Sequence, residues 1–246
     1  MIQSVERAFR LLYTIGQRED QSNISQLARD VGLPRTTVVR LLDTLQAVGA
    51  VKTADVTDEY QIGDKLVALL NNTPWKEQLA AVAYPYLQEL ALTTGETTYL
   101  GIPEGNSVFY MTQIDSQYTI QMKDWSGQYT DLHPTAAGKL FLAYRTPEEL
   151  DRFFEQELAT YTEFTLTSPH QLRPELNTIR QTQISWSREE FEFGCINIAA
   201  PIFNRGGQIT AAVAIGFPRY RMQSPEHQQW LAEQLLHTGQ QISQSL

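Results

Sequence analysis

Between Asn23 and Gly49 the sequence spells two short helices around a tight turn, and this punctuation constrains the fold more than any other stretch. Asn23, with Gln26 three residues on, is a capping-box-like start for a helix over residues 24–31. Gly32 is placed to end that helix in a left-handed conformation, and Pro34 sits where a helix opens because its missing N–H costs nothing there. A third helix is predicted over about 34–48, with Val38, Leu41, Leu42 and Leu45 on one face and Gly49 at its end. Upstream, Ser4 to Ile15 reads as a first helix whose Val5, Ala8, Phe9 and Leu12 form an apolar stripe, with Glu6, Arg7 and Arg10 off it. Two β-prone stretches, 50–53 and 59–62, flank an acidic turn at 54–58 and predict a hairpin. Three helices followed by a hairpin is the order of a winged helix-turn-helix.

A third helix buried on that face presents Arg35, Thr36, Val39, Arg40 and Asp43 on the other, with Thr37 beside them. Arginine can bond guanine bidentately, threonine can reach bases or phosphate, and a valine methyl can pack on thymine. A solvated face on an ordinary three-helix unit would look the same, so the pattern alone leaves both readings open. The formal net charge of −9 excludes a surface that attracts nucleic acid everywhere, and makes DNA binding a matter of local charge. The hairpin tip carries Asp55, Asp58 and Glu59 with only Lys52 nearby, whereas a wing lying along phosphates calls for Arg or Lys. The wing is therefore expected to contribute little, leaving Arg7, Arg10, Arg35 and Arg40 as phosphate partners and making dimerisation important for affinity.

Asp64–Leu70 reads as one more helix, and Trp75 to about Leu92 as a long helix connecting the two halves, with Pro85 inside it. Beyond Gly95 short strands are predicted at Thr97–Ile102, Val108–Thr112 and Tyr118–Met122. Helices follow around Ala136–Ala143, Pro147–Glu157 and Pro169–Gln183, then strands at Ile196–Phe203 and Ile209–Phe217 and a closing helix from Ser224 to Ser243. This mixture predicts an α+β domain. No apolar run reaches bilayer-spanning length and the chain opens on an amphipathic helix, so no membrane association and a cytoplasmic location are expected. Cys195 is the only cysteine and the four histidines are scattered, which argues against a disulfide, a metal site or any cofactor held by such groups. His133, Cys195 and Asp131 can be nominated for catalysis, but no nucleophile elbow, phosphate loop or metal triad accompanies them, and the chain is read as not an enzyme.

Several segments resemble the IclR-type regulators. They are Ser4-Val5-Glu6-Arg7-Ala8-Phe9-Arg10-Leu11-Leu12, then Gln26-Leu27-Ala28-Arg29, and Gly32-Leu33-Pro34-Arg35-Thr36-Thr37-Val38-Val39-Arg40-Leu41-Leu42. In the second half Leu132-His133-Pro134-Thr135-Ala136-Ala137-Gly138-Lys139, Glu189 to Gly194, and Ile198-Ala199-Ala200-Pro201-Ile202-Phe203 continue the likeness in the same order. The resemblance implies a winged helix-turn-helix over 1–66, a linker helix region over 67–93 and a GAF-like effector-binding domain over 94–246. It also implies a homodimer or homotetramer on a roughly palindromic double-stranded operator, with a small-molecule effector altering DNA binding. By the same resemblance the effector pocket maps to Thr135, Ala136, Ala137 and Gly138, where free N–H groups at a helix start suit a carboxylate. Close helix–sheet packing would equally account for Ala136 and Gly138.

Further pocket walls map to Ser187, Asn197, Ala214 and Gly216, which are smaller or less polar than a site for a very polar acid would need. Tyr99, Phe109, Tyr110, Met122, Trp125, Trp186 and Phe191 add an aromatic supply, with Tyr110 and Trp125 named as pocket residues. The expected ligand is an organic or aromatic acid. The competing reading is a ligand-sensing or interaction protein of the same fold that has lost DNA or ligand binding, a possibility the acidic wing keeps open.

Overall fold

The computed structural model describes residues 2–17, 23–53, 59–71 and 75–246. The chain divides into two compact units, residues 1–74 and 75–246. The acidic wing turn with Asp55 and Asp58, and the break at 72–74, lie outside the described residues.

In the first unit the order is α1 (Gln3–Gly16), α2 (Ile24–Val31), α3 (Arg35–Ala47), β1 (Val51–Thr53), β2 (Tyr60–Ile62) and α4 (Asp64–Asn71). The cap signals act where the sequence puts them. The Asn23 side chain accepts the Gln26 N–H at 3.0 Å, and Gly32 takes φ 65° while the Leu33 N–H closes on the Ala28 carbonyl at 3.1 Å. Strands β1 and β2 pair antiparallel, Val51 opposite Ile62. The core joins Leu11, Leu12 and Ile15 of α1 to Leu27 and Val31 of α2, Val38, Leu42 and Leu45 of α3, and Val51.

That core corrects the reading of α1. Leu12 is buried as expected, but its companions are Leu11 and Ile15, while Val5 and Phe9 lie exposed. The helix has two apolar faces, and periodicity alone selected the wrong one because both repeat at helical spacing. On α3, Leu41 is half-buried at the edge of the core.

The second unit begins with α5 (Trp75–Thr94) and continues through β3 (Thr97–Glu104), β4 (Ser107–Ile114), β5 (Tyr129–Asp131), α6 (Ala136–Ala143), α7 (Pro147–Phe153) and α8 (Pro169–Thr182). It closes with β6 (Ser185–Arg188), β7 (Cys195–Phe203), β8 (Ile209–Pro218), a 3-10 turn at Arg219–Arg221, and α9 (Pro225–Ser245). Its six strands form one sheet in the order β5-β4-β3-β8-β7-β6, every neighbouring pair antiparallel. Side chains alternate across it with the period of two that a pleated strand imposes. Along β8, Ala211, Val213 and Ile215 face a core with Leu79, Ala83, Leu87 and Leu90 of α5 and Leu231, Leu235 and Ile242 of α9. Ala212 and Ala214 face the opposite way, with Tyr99 and Ala199, toward α6 and α8. The result is a three-layer stack, and α5 is a full member of one layer.

Helix α6 is buried along its whole length. Alanines on the facing strands let it approach closely, and a Cβ at Gly138 would fall 2.1 Å from the Leu132 carbonyl oxygen, so only glycine fits there.

Two strand assignments change. Tyr118–Met122 forms no strand: Tyr118 and Ile120 are exposed, and the edge of β4 is taken by β5, with Phe109 opposite Tyr129. Strand β6, short and carrying Arg188, had no sequence signal and exists by pairing with β7, Ser187 opposite Asn197.

Candidate DNA-reading helix and effector cavity

Helix α3 is fixed by Val38, Leu42 and Leu45, which sets what remains outside. Thr36, Arg40 and Asp43 follow at helical spacing on the outward face, all exposed, and Arg35 is exposed in the first turn. Thr37 and Val39 are half-buried on either side of that row. Arg40, Thr37, Leu41 and Thr44 also border a groove against Ser4, Val5 and Ala8 of α1. Arg7 is half-buried, and Arg10 donates to Glu6 at 3.1 Å one turn earlier. The nominated side chains therefore share α3 and α1, with Arg35, Thr36 and Arg40 the freest to meet a groove edge. Lys52 at the wing base is engaged by Asp64 at 2.7 Å. Residues 1–74 hold eight Lys and Arg against nine Asp and Glu, so nearly all of the acidic excess belongs to the second unit.

In the second unit a narrow cavity of about 20 Å³, room for about one water molecule, lies between the sheet and the start of α6. Of the nominated residues, Tyr110, Trp125, Thr135 and Asn197 line it. Tyr99, Met122, Thr130, Phe191, Glu192 and Cys195 complete the wall. Thr135 caps α6, accepting the Gly138 N–H at 3.1 Å while donating to the Asp131 carbonyl at 3.1 Å. That leaves the N–H groups of Ala136 and Ala137 without an acceptor inside the helix, just behind the wall. The Ser187 hydroxyl donates to the Pro134 carbonyl at 2.7 Å, so it ties β6 to the approach to α6 and does not line the space. Ala214 sits opposite Tyr99 in the sheet. A Cβ at Gly216 would lie 2.6 Å from Asn197 Oδ1 and 2.9 Å from the Tyr99 ring, so this glycine makes the room in which those two groups stand.

The aromatic lining is continuous: the Tyr99 and Tyr110 ring centroids are 5.5 Å apart, Tyr110 and Trp125 6.5 Å, and Trp125 and Phe191 5.4 Å edge to face. The Tyr99 hydroxyl is buried and has no hydrogen-bond partner among the described residues. Burial, then the neighbouring Tyr110, holds its pKa well above the usual phenol range, and burial pushes Tyr110 up to about 12. Both phenols stay protonated and can donate. No Lys, Arg or His is among the lining side chains. A polar head group would meet neutral donors and the Glu192 carboxyl there, and a flat or apolar body would meet rings.

The wall that carries Phe191 and Glu192 is a loop held at several points. Glu189, with φ 61°, accepts the Gly194 N–H at 2.9 Å and pairs with Arg219 at 2.6 Å. Glu190 meets Lys139 of α6 at 2.6 Å, and the fully buried Lys139 ammonium also reaches Glu175 at 2.5 Å. Thr162 and Thr165 donate to the carbonyls of Glu189 and Glu190 at 2.6 and 2.7 Å. Lys139, Thr130 and Glu192 are not among the site residues that the sequence nominates. A lysine after a glycine in an apolar helix was a signal, because such a charge needs a buried partner.

His133 Nε2 lies 2.8 Å from the Ala159 carbonyl, and burial lowers its pKa. Burial, then Glu192 and Glu189, pushes the Cys195 thiol up to about 11, far from a reactive thiolate.

The comparisons with known proteins agree with this architecture. The model of the IclR helix-turn-helix domain matches residues 4–55, and that of the bacterial transcriptional regulator IclR C-terminal domain matches 75–244. The HTH-type transcriptional regulator KdgR of Escherichia coli is 32% identical over 239 residues, covering 97% of this chain and 90% of the relative. KdgR of Dickeya chrysanthemi is also 32% identical, covering 97% and 77%. Among solved structures, IclR of Thermotoga maritima superposes with a TM-score of 0.66 at 26% identity over 100% of this chain and 99% of that one. An IclR homolog of Microbacterium hydrocarbonoxydans, solved in complex with 4-hydroxybenzoate, shares the fold with a TM-score of 0.64 at 22% identity, over 98% of each chain. With both domains matched in order along nearly its whole length, the chain belongs to the IclR family of transcriptional regulators, a helix-turn-helix DNA-binding domain joined to a C-terminal effector domain.

Proposed function

We propose that this regulator reads a two-fold DNA operator through Arg35, Thr36, Thr37, Val39 and Arg40, with Arg7 and Arg10 on flanking phosphates. The observation that carries this reading is the outward row of α3, where Thr36 and Arg40 stand exposed opposite a fully formed core. It works in the cytoplasm, as a homodimer or homotetramer, because half-sites on a palindrome call for paired recognition helices. Residues 1–66 carry the DNA contacts, 67–93 the connection, and 94–246 the sensing. The chain is a sensor and not a catalyst, consistent with a Cys195 thiol whose pKa is pushed to about 11.

The effector is a small organic or aromatic acid. Its ring enters as the side chains of Tyr110, Trp125 and Phe191 part to admit it, and its polar head takes hydrogen bonds from Tyr99, Thr135, Asn197 and the first N–H groups of α6, at Ala136 and Ala137. Ser187, Ala214, Gly216 and Gly138 shape the site from behind. Occupancy favours one arrangement of the paired DNA-binding domains over another.

Selection of bound fragments from the source genome, followed by sequencing, tests the first claim. Enrichment of a palindromic site is expected, and Arg40→Ala should weaken that site by about 1–3 kcal/mol while sparing effector binding. Equal operator affinity for variant and parent would remove Arg40 from the reading. No enrichment at all, with or without a metabolite extract, would favour a sensor that does not read DNA. With 4-hydroxybenzoate as the first probe, a shift in operator affinity abolished by Asn197→Leu supports the cavity.

A further inference from the structure

Two loops close the effector cavity, and both are fastened to the same short turn. Residues 119–123 bring Met122 to the wall and lead into Trp125, and the 189–194 loop brings Phe191 and Glu192. Trp125 and Phe191, one from each loop, meet edge to face at 5.4 Å, and the space behind them has room for about one water molecule. A larger ligand must therefore part the two loops.

The turn at Arg219–Arg221 follows β8 and precedes α9. Arg221 reaches the first loop. Its guanidinium donates to both carboxylate oxygens of Glu96 at 2.7 Å and to the Ile120 carbonyl at 2.9 Å, and its central carbon lies 4.7 Å from the Tyr118 ring centroid. Among the described residues, the bond to Ile120 is the one hydrogen bond that holds 119–123 to the rest of the domain. Arg219 serves the second loop: its backbone N–H donates to the Gly194 carbonyl at 2.6 Å, and its guanidinium to Glu189 at 2.6 Å. The Arg221 and Glu96 side chains are 12 and 6% exposed, whereas that of Arg219 is 62% exposed. A forked, poorly hydrated pair holds its geometry better than a surface pair, so Arg221 is the stronger fastening.

We propose that the Arg219–Arg221 turn is the latch of this cavity, with Arg221 the positioning residue whose release from Ile120 lets the 119–123 wall swing out and a ligand pass. The role rests on reading the cavity as the effector site. Neither arginine lines the space, so the pair governs how fast a ligand enters and leaves and has little hold on which ligand is chosen. The fastening is made at the end of α5. Glu96 stands two residues beyond Thr94, where that helix stops, and the Ser116 hydroxyl, at the entry to the first loop, donates to the Gly95 carbonyl at 2.7 Å. The wall and the end of α5 thus share one anchorage.

The test uses the full chain and needs no effector. Cys195 lines the cavity and is the chain's only cysteine, so its alkylation by iodoacetamide at neutral pH, followed by intact mass, times the entry of a small neutral probe. Arg221→Gln, and separately Glu96→Gln, should speed alkylation by on the order of tenfold or more, while amide exchange in β3 and β8 stays at the parent rate. Arg219→Gln, which keeps its backbone bond, should speed it only a fewfold, and Arg180→Gln on α8 not at all. Arg221→Lys keeps a charge for Glu96 but loses the fork that also reaches Ile120, and should fall between the parent and Arg221→Gln. An unchanged rate in Arg221→Gln, a parent-like rate in Arg221→Lys, or a gain matched by faster exchange throughout β3 and β8 would each overturn the latch. So would a parent whose Cys195 reacts as fast as free cysteine, because the cavity would already stand open. Should Arg221→Gln fail to fold, the exposed Arg219 decides, and an unchanged rate in Arg219→Gln would overturn the proposal. Failure of 4-hydroxybenzoate to act on operator affinity leaves these rates as they are, so the effector reading and the latch fail separately.

Discussion

Replacing Lys139 by Met keeps the length of the side chain and removes its charge, which isolates what that charge does. The Lys139 side chain is wholly buried and that of Glu190 is 9% exposed, so Glu190 would keep a carboxylate in a poorly hydrated site without its cation. Glu175, at 30% exposed, can turn toward water and adds less. Removing one partner of a buried ion pair costs about 3–5 kcal/mol; the Arg188 N–H, still 3.2 Å from Glu190, puts the expectation near 3 kcal/mol. Urea unfolding followed by tryptophan fluorescence is the right assay, because Trp75, Trp125, Trp186 and Trp230 all lie in the second unit.

The pH dependence gives a sharper check. Burial outweighs the attraction of Lys139 and already raises the pKa of Glu190; removing the lysine raises it further. A carboxyl whose folded pKa lies above its unfolded value contributes stability below the unfolded value, and that contribution is lost as pH rises through the folded one. The deficit of Lys139→Met should therefore shrink as pH falls from about 7 toward about 4.5. Adding Glu190→Gln should recover half of the deficit or more at neutral pH. A loss under about 1 kcal/mol, or a deficit that deepens in acid, would refute the argument.

Other expectations are simpler to state. Tyr99→Phe removes a buried hydroxyl with no partner, so stability should stay within about 1 kcal/mol of the parent or rise slightly; a larger loss would show that the hydroxyl holds a structural bond. Alkylation of Cys195 by iodoacetamide at neutral pH should run on the order of 100-fold slower than for free cysteine, and climb toward pH 11; a rate near that of free cysteine would contradict the buried thiol.

What the sequence revealed and what it concealed follow from where the determining interactions lie. Helices α2 and α3 were legible because Asn23, Gln26, Gly32 and Pro34 act on their immediate neighbours. The buried face of α1 was not, since Leu11, Leu12 and Ile15 are chosen by α2 and α3, and the competing face is as apolar and as regular. In the second unit the start of α6 showed through Thr135, whose cap is local. Strand β6 and the failed strand at 118–122 depended on which partner edge was free, a property of the sheet. The cavity was half visible: Tyr110, Trp125, Thr135 and Asn197 line it, while Thr130, Glu192 and Cys195 join them only because β5, the 189–194 loop and β7 converge.

The three-layer stack also decides which way news of an occupied cavity can travel. The cavity lies on the α6 side of the sheet, and α5, the segment that leads back toward residues 1–74, lies on the other. Strand β3 is in touch with both. Tyr99 points its hydroxyl into the cavity wall, while its neighbours Thr98 and Leu100 face α5, Thr98 donating to the Leu87 carbonyl at 3.1 Å. On the proposed reading, a ligand bonded to Tyr99 would bear on a strand whose reverse side Thr98 ties to α5, so the route out of the cavity crosses the sheet and does not run along its surface.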